Sequence, residues 1–396
     1  MGSEIPPLPM DRGEETGEPP ESQPAAALDT NRDVPFSQPA ADSDRGLRWI
    51  FFGEEGLRAG WSLAIFIGLI YVLGRGVKFA LDWTHVKLPS RSNPIAPESA
   101  LVGELIQLLV LLAAAWIVSR IERRKVLDYN LRGPQPLARF GSGLITGFLA
   151  LSALIAGLAA GGWLHFGPVA LSGSQIAIYA AEWAAVFLLV GCFEEGLTRC
   201  YLLFTLARGL NFWWGLGLVV SICVLFSLNT KASGLWGAYA IALLGLGPCL
   251  FLHLRKAPST GFWNAAWVTS VMFGGGHTSN GGENWVGIFA AAGIGLVFCA
   301  SVRLTGSAWW AIGCHAAWDW GESYFYGTQD SGMMAKGHLL STAQAGNPLW
   351  NGGADGPEGS LLTIPVILLL LLVLLLQYGR SRDAAVPTAA EQPVAG

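Results

Sequence analysis

Two adjacent carboxylates and an arginine lie inside a long apolar segment of this chain. Glu194, Glu195 and Arg199 fall in residues 181–206, a run long enough to cross a bilayer. Charged side chains at bilayer depth are costly and usually face a bundle interior or a watery cavity. On a helix Glu195 and Arg199 share a face and can pair, whereas Glu194 points roughly 100° away. We therefore expect Arg199 to fix Glu195 and Glu194 to face a cavity as a base.

Two further segments carry histidines at membrane depth. His277 follows glycines 274–276, where the missing side chains let another backbone or a substrate approach closely. His315 and Asp319 lie four residues apart on one helical face, so they can bind a metal, orient a water or hydrogen-bond an anion. For all three segments the competing interpretation is structural, either a buried ion pair or an interhelical hydrogen bond.

The elements that must hold these residues are predicted to be membrane helices. Of the 396 residues, 52% are hydrophobic and only 13% are charged, unlike the average soluble domain. The apolar segments predict an all-α, polytopic integral membrane helix bundle with about ten transmembrane helices. The predicted spans are 58–76, 100–119, 141–163, 181–206, 213–230, 234–252, 261–277, 285–302, 306–323 and 360–377.

The distribution of basic residues predicts the orientation of the bundle. Residues 120–139, between the second and third predicted spans, contain six arginines and lysines, which is typical of a cytoplasmic loop. Threading the spans alternately from there puts both termini in the cytoplasm and the acidic segment 327–359 outside. We expect a multi-pass protein of the bacterial inner membrane, in contact with the lipid bilayer.

Composition also divides the chain into regions. The polar ends are predicted to be disordered tails, because they cannot bury enough apolar surface to fold. A net charge of −4 gives no indication of nucleic acid as a partner, and six cysteines without CxxC spacing predict core residues. The predicted regions are a tail at 1–47, N-terminal transmembrane helices at 48–172, a catalytic transmembrane core at 173–326, an outer loop at 327–359, a final transmembrane helix at 360–379 and a tail at 380–396.

Three motifs follow one another along the predicted core. They are Glu-Glu-x-x-x-Arg at 194–199, Phe-x-x-x-His at 273–277 and His-x-x-x-Asp at 315–319. In this order, and each in a membrane helix, they resemble the CAAX protease and bacteriocin-processing family, which includes the type II CAAX prenyl endopeptidases. The resemblance covers about residues 175–325 and is most detailed at 305–319.

This resemblance implies roles for the first two motifs. Glu194 would be the general base that activates water, and His277 would share or orient that water. Glu195 and Arg199 would fix the helix that carries the base and would help to hold the substrate.

The third motif departs from the family at its last position. His315 and residue 319 would line the oxyanion side, where the family usually has Asn or a hydrophobic residue and this chain has Asp319. An ionised aspartate cannot donate a hydrogen bond to an oxyanion. Asp319 is therefore predicted to be protonated, to hold His315 as a charged donor, or to bind a metal. In the last case Glu194, His277, His315 and Asp319 would hold a single divalent ion such as zinc, and the family has been described both as metal-dependent and as a glutamate protease.

The leading interpretation is an intramembrane endopeptidase acting on a membrane-anchored peptide or protein near the cytoplasmic half of the bilayer. Two alternatives stay open. One is a non-catalytic scaffold or bacteriocin-immunity-type protein that keeps the motifs for packing. The other is a proton-coupled transporter with Glu194, His277 and His315 as a relay, although no internal repeat is detectable. The oligomeric state is not predicted.

Overall fold

The structure is a computed structural model that describes residues 48–53, 56–89, 93–229 and 235–379. Both predicted tails, 1–47 and 380–396, lie outside the described residues. Helices make up most of the described chain. They are α1 (Arg48–Phe51), α2 (Ala59–Thr84), α3 (Pro97–Ile121), α4 (Pro136–Ala160), α5 (Ser174–Glu195), α6 (Leu203–Ala207), α7 (Phe212–Asn229), α8 (Leu235–Leu254), α9 (Thr260–His277), α10 (Trp285–Thr305), α11 (Trp309–Asp319), α12 (Pro348–Asn351) and α13 (Thr363–Tyr378).

Short strands form three two-stranded antiparallel sheets. They are β1 (Phe52–Gly53) with β2 (Gly56–Leu57), β3 (Leu164–Val169) with β6 (Leu340–Gln344), and β4 (Gln329–Asp330) with β5 (Met333–Met334). All of them lie between helices, and they do not alter the all-α class of the bundle.

Each predicted span contains a helix, and the described part of the chain has five helices long and apolar enough to cross a membrane. These five are Ala59–Thr84, Pro97–Ile121, Pro136–Ala160, Ser174–Ala207 and Trp285–Thr305. The protein is therefore an integral membrane protein built as an all-α helix bundle. The number of crossings and the side of the termini stay predictions.

The helix that carries the two glutamates does not end with them. After α5 the chain widens into a π-helical stretch, Gly196–Leu202, and then continues as α6. A π-helical turn holds an extra residue and therefore rotates the side chains that follow it, and such turns are frequent at functional sites. Here it sets the direction of the Arg199 side chain, which reaches back to Glu195 at the end of α5.

Helices α4 and α11 approach each other at backbone distance. A Cβ atom added at Gly147 would collide with the carbonyl of Cys314, and one added at Gly313 would collide with the carbonyl of Phe140. Small residues permit such close approach between membrane helices. This contact fixes α11, the helix of the third motif, against the bundle.

Residues 327–359, predicted as an outer loop, fold over one end of the bundle, and we call them the cap. The cap contains β4, β5, β6, α12 and a 3₁₀ turn at Pro357–Gly359. It is tied to the helices by hydrogen bonds from Ile95 N to Met334 O (2.8 Å) and from Asn284 Nδ2 to Gly352 O (3.0 Å). The cap is thus a packed layer of the protein.

The basic segment 120–139 lies at the opposite end of the bundle. Helix α3 begins beside the cap and ends at this segment, and its 25 residues correspond to roughly 37 Å of α-helix. There Glu122 accepts hydrogen bonds from Tyr129 Oη (3.0 Å) and Arg208 Nη2 (3.1 Å). The two ends of the bundle therefore differ in charge, with arginines at one and the acidic cap at the other.

Candidate active site

The first motif forms a buried ion pair, as its spacing predicts. Arg199 Nη1 lies 3.2 Å from Glu195 Oε1, and both side chains are fully buried. The same Nη1 donates to Thr198 Oγ1 at 2.6 Å. The guanidinium also lies over the ring of Phe273, 4.3 Å from its centroid, a favourable cation–π arrangement. Arg199 is therefore held from several sides.

The ion pair also fixes a histidine of another helix. His315 Nδ1 donates to Glu195 Oε1 at 2.9 Å, so one carboxylate oxygen joins the first and third motifs. The His315 ring stacks on Phe298 with 5.8 Å between centroids. These contacts orient the ring and leave its Nε2 pointing away from Glu195.

The free nitrogen of His315 faces the remaining two carboxylates. His315 Nε2 lies 3.8 Å from Glu194 Oε2 and 3.4 Å from Asp319 Oδ2. One third of the Glu194 side chain is exposed, at 33%, whereas that of His315 is exposed at only 12%. Glu194 is therefore the carboxylate within reach of water, and Asp319 is a neighbour of the His315 ring.

His277 reaches the site from the end of α9. Its Nδ1 lies 2.8 Å from Phe273 O, which makes Nδ1 the donor and leaves Nε2 as an acceptor. The glycines before it allow another backbone to approach closely, as predicted, since a Cβ atom at Gly274 would come 2.7 Å from Ile288 O of α10. The backbone of α9 can therefore lie directly against α10.

One cavity of about 230 Å³ joins these residues. Glu194, His277, His315 and Asp319 all line it, whereas Glu195 and Arg199 lie behind its wall. Glu194 lies in the middle of its predicted span, 181–206, whereas His277 is the last residue of the predicted span 261–277, so the spans alone do not put the two at the same depth. The structure brings both to this cavity.

The predicted metal site is not formed by these side chains as they stand. Among the described residues, no group of three or more His, Cys, Asp or Glu side chains is placed to hold a metal ion. Nδ1 of His277 is bonded to Phe273 O and Nδ1 of His315 to Glu195, so in both histidines Nε2 is the nitrogen that remains for a ligand in the cavity. Asp319 supplies a partner for His315, with its Oδ2 3.4 Å from Nε2 of that histidine.

The motifs did not predict the acidic residues that the cap adds to the cavity. Asp330 and Glu358 line it, together with Ser323 of the π-helical turn after α11. Ser323 Oγ donates to Asp330 Oδ2 at 2.9 Å, and Trp318 Nε1 donates to Glu358 Oε1 at 2.7 Å. Burial raises the pKa of Asp330 to about 6 and that of Glu358 well above its usual range. Only their acidity was visible in the sequence, because no spacing linked them to the motifs.

The cavity extends from the residues of the three motifs to the cap. Its lining residues come from the beginning of α3 and α13 and from the end of α9, and several belong to the cap itself. The basic segment 120–139 contacts the helices of the first and third motifs, because Asn130 Nδ2 donates to Arg199 O (2.8 Å) and Ala308 N, just before α11, donates to Asn130 O (2.8 Å). The outer position of the cap and the cleavage near the cytoplasmic half of the bilayer both stay predictions.

The fold and the cavity define a polytopic membrane helix bundle with a partly buried site of carboxylates and histidines. Residues 248–321 match the model of the Rce1-like family, described as type II CAAX prenyl endopeptidase Rce1-like. The matched region contains His277, His315 and Asp319 and begins after the first motif. This match confirms the family resemblance predicted from the three motifs. No curated protein and no solved structure matches the chain.

Proposed function

We propose that the protein is an intramembrane endopeptidase that hydrolyses a peptide bond of a membrane-anchored peptide or protein by a glutamate-dependent mechanism. The observation that supports it best is the partly exposed carboxylate of Glu194, 3.8 Å from a histidine that is itself fixed by Glu195. A base beside a cavity and an oriented electrophilic partner are what peptide hydrolysis needs. The family match supports the reaction class.

In the proposed mechanism Glu194 takes a proton from a water molecule in the cavity. The water oxygen attacks the carbonyl carbon of the scissile bond, and Nε2 of His277 orients the water as a hydrogen-bond acceptor. Glu194 then delivers its proton to the amide nitrogen. The C–N bond breaks, and an amine and a carboxylic acid leave.

His315 and Asp319 are proposed to act together on the oxygen of the scissile carbonyl. A protonated His315 donates from Nδ1 to Glu195 and has its Nε2–H directed into the cavity near Asp319. Such a charged donor stabilises a developing oxyanion. Asp319 then balances the charge of His315, which explains how an aspartate can occupy a position where the family usually has another residue.

Cleavage of membrane-anchored peptides by the purified protein in proteoliposomes tests this proposal. Mass spectrometry is expected to find cleavage at a single bond. A strong zinc chelator is expected to change the cleavage rate by less than about twofold. Loss of cleavage with chelator and its return with zinc would favour the metal-dependent mechanism. Complete absence of cleavage across a varied peptide set would favour the scaffold interpretation.

We further propose that the site opens on the outer side of the membrane. Cysteines introduced at two exposed positions report this, Ala343 in the cap and Arg120 at the other end of α3. In intact cells a membrane-impermeant maleimide is expected to label Ala343→Cys, and to label Arg120→Cys only after the membrane is permeabilised. The six native cysteines are buried or half-buried, so the unsubstituted protein is the control. The reverse labelling pattern would place the site on the cytoplasmic side.

A further inference from the structure

The charge of the cavity wall is strongly one-sided. Its described lining contains five carboxylates and no lysine or arginine, and its only basic side chains are two histidines. The carboxylates belong to Glu104, Glu194, Asp319, Asp330 and Glu358. A cavity of low dielectric constant lined by one sign of charge attracts ligands of the opposite sign.

Arg199, the arginine of the first motif, does not neutralise this wall. Arg199 is fully buried, with Phe273 between it and the cavity, and it is already paired with Glu195. His315 is flanked by Glu195 and Asp319, so its charge is matched by carboxylates too. The acids that the cap contributes therefore have no lysine or arginine counterpart in the cavity lining, and His315, the histidine that acts on Asp330, is already flanked by two other carboxylates.

Asp330 and Glu358 are held in defined positions on the cap side of the cavity. The hydroxyl of Ser323 anchors Asp330, and the indole of Trp318 anchors Glu358. Each anchor occupies one carboxylate oxygen and leaves the other free to accept a further hydrogen bond. A carboxylate fixed in this way loses little entropy when it binds a cation.

The cavity lining also has an apolar part. It is formed by side chains of α5 and α10, with Phe187 and Val190 on the former and Ile294 and Phe298 on the latter. A substrate that fills the cavity must therefore present apolar side chains to these helices and a polar or charged group to the cap. A protein segment at the border of the membrane has this character.

We infer that the substrate carries a lysine or arginine beside the scissile bond, and that Asp330 and Glu358 receive this side chain. The inference rests on the proposed peptidase function. A bound cation lowers the pKa of both carboxyl groups, which burial raises, and so favours their ionised forms. Charge-assisted hydrogen bonds to the two fixed carboxylates then favour such a substrate, whereas a glutamate or a free C-terminal carboxylate at the same place is repelled. The two cap residues therefore determine specificity for the reaction that Glu194 carries out.

Three anchored peptides that differ at a single position, Lys, Gln or Glu next to the cleaved bond, test the inference in proteoliposomes. For the wild-type protein, kcat/KM is expected to be at least about tenfold higher for the Lys peptide than for the Glu peptide, with the Gln peptide between them. In the variant Asp330→Asn/Glu358→Gln this ratio is expected to fall to within about twofold of one, mainly because KM for the Lys peptide rises.

A matched control removes two charges outside the cavity. Glu98 and Glu182 are both exposed near the cap end of their helices, so Glu98→Gln/Glu182→Gln should keep the wild-type ratio. Equal rates for the three wild-type reactions, or an unchanged ratio in the cap variant, would overturn the inference. If the cap variant does not fold, inhibition of the wild-type protein by uncleavable Lys and Glu peptides decides, since equal inhibition would overturn the inference as well.

The same peptides test the charge preference and the peptidase function separately. Cleavage of the uncharged Gln peptide that depends on Glu194 would support the peptidase whatever the ratio of the charged peptides. Failure to cleave any of the three, with the protein folded, would count against the proposed function.

Discussion

Replacement of Glu194 by glutamine is expected to lower kcat for peptide cleavage by about 10²–10⁴-fold, the usual contribution of a general base. Glutamine keeps the size and shape of the side chain but cannot take a proton from water. KM is expected to change little, because Glu194 contacts the reacting water more than the substrate chain. The rate of product formation in proteoliposomes, followed by mass spectrometry, measures the effect.

The same helix provides the control for this variant. Glu182 is an exposed glutamate of α5, about three turns before Glu194, and Glu182→Gln should cleave at the wild-type rate. Thermal unfolding of Glu194→Gln should also match the wild type, because its carboxylate is partly exposed and not tightly paired. Cleavage by Glu194→Gln at more than about a tenth of the wild-type rate would contradict the role of base.

The second large effect is expected on stability. Glu195→Leu leaves the guanidinium of Arg199 buried without its carboxylate and removes the acceptor of His315 Nδ1. Breaking a buried pair from one side typically costs about 3–5 kcal/mol. Because this is a large fraction of the stability of most domains, we expect the midpoint of thermal unfolding in detergent to fall markedly and cleavage to be lost.

A double variant separates the ion pair from packing. Arg199→Met in addition to Glu195→Leu removes both charges and replaces them by apolar side chains of similar length, which is often neutral for stability. The unfolding midpoint should therefore recover most of its loss, while cleavage should not, because His315 still lacks its partner. If the two substitutions destabilised the protein additively, the buried charges would not be coupled.

The geometry around Asp319 explains why one residue could be assigned three roles from the sequence. Spacing alone showed that His315 and Asp319 share a helical face, but it could not show which groups occupy the other sides of the histidine. In the structure Nδ1 of His315 is bonded to Glu195, a residue 120 positions earlier in the chain. That contact leaves Nε2 between Glu194 and Asp319 and favours the charged-donor role.

The sequence by itself determined the local features of this protein. Hydropathy is a property of neighbouring residues, so it located the helices of the bundle, and the four-residue spacing predicted the pairing of Glu195 with Arg199. The order of the motifs indicated the family. None of these conclusions needs information about which helices are neighbours.

Tertiary structure decided which residues share a cavity. The close packing of α4 on α11, the link between Glu195 and His315, and the return of the cap over the helix ends join segments far apart in the chain. Such contacts depend on the shapes of whole helices, which local periodicity does not encode. For this reason the sequence indicated Glu194, His277, His315 and Asp319, whereas only the fold added Asp330 and Glu358 to the same cavity.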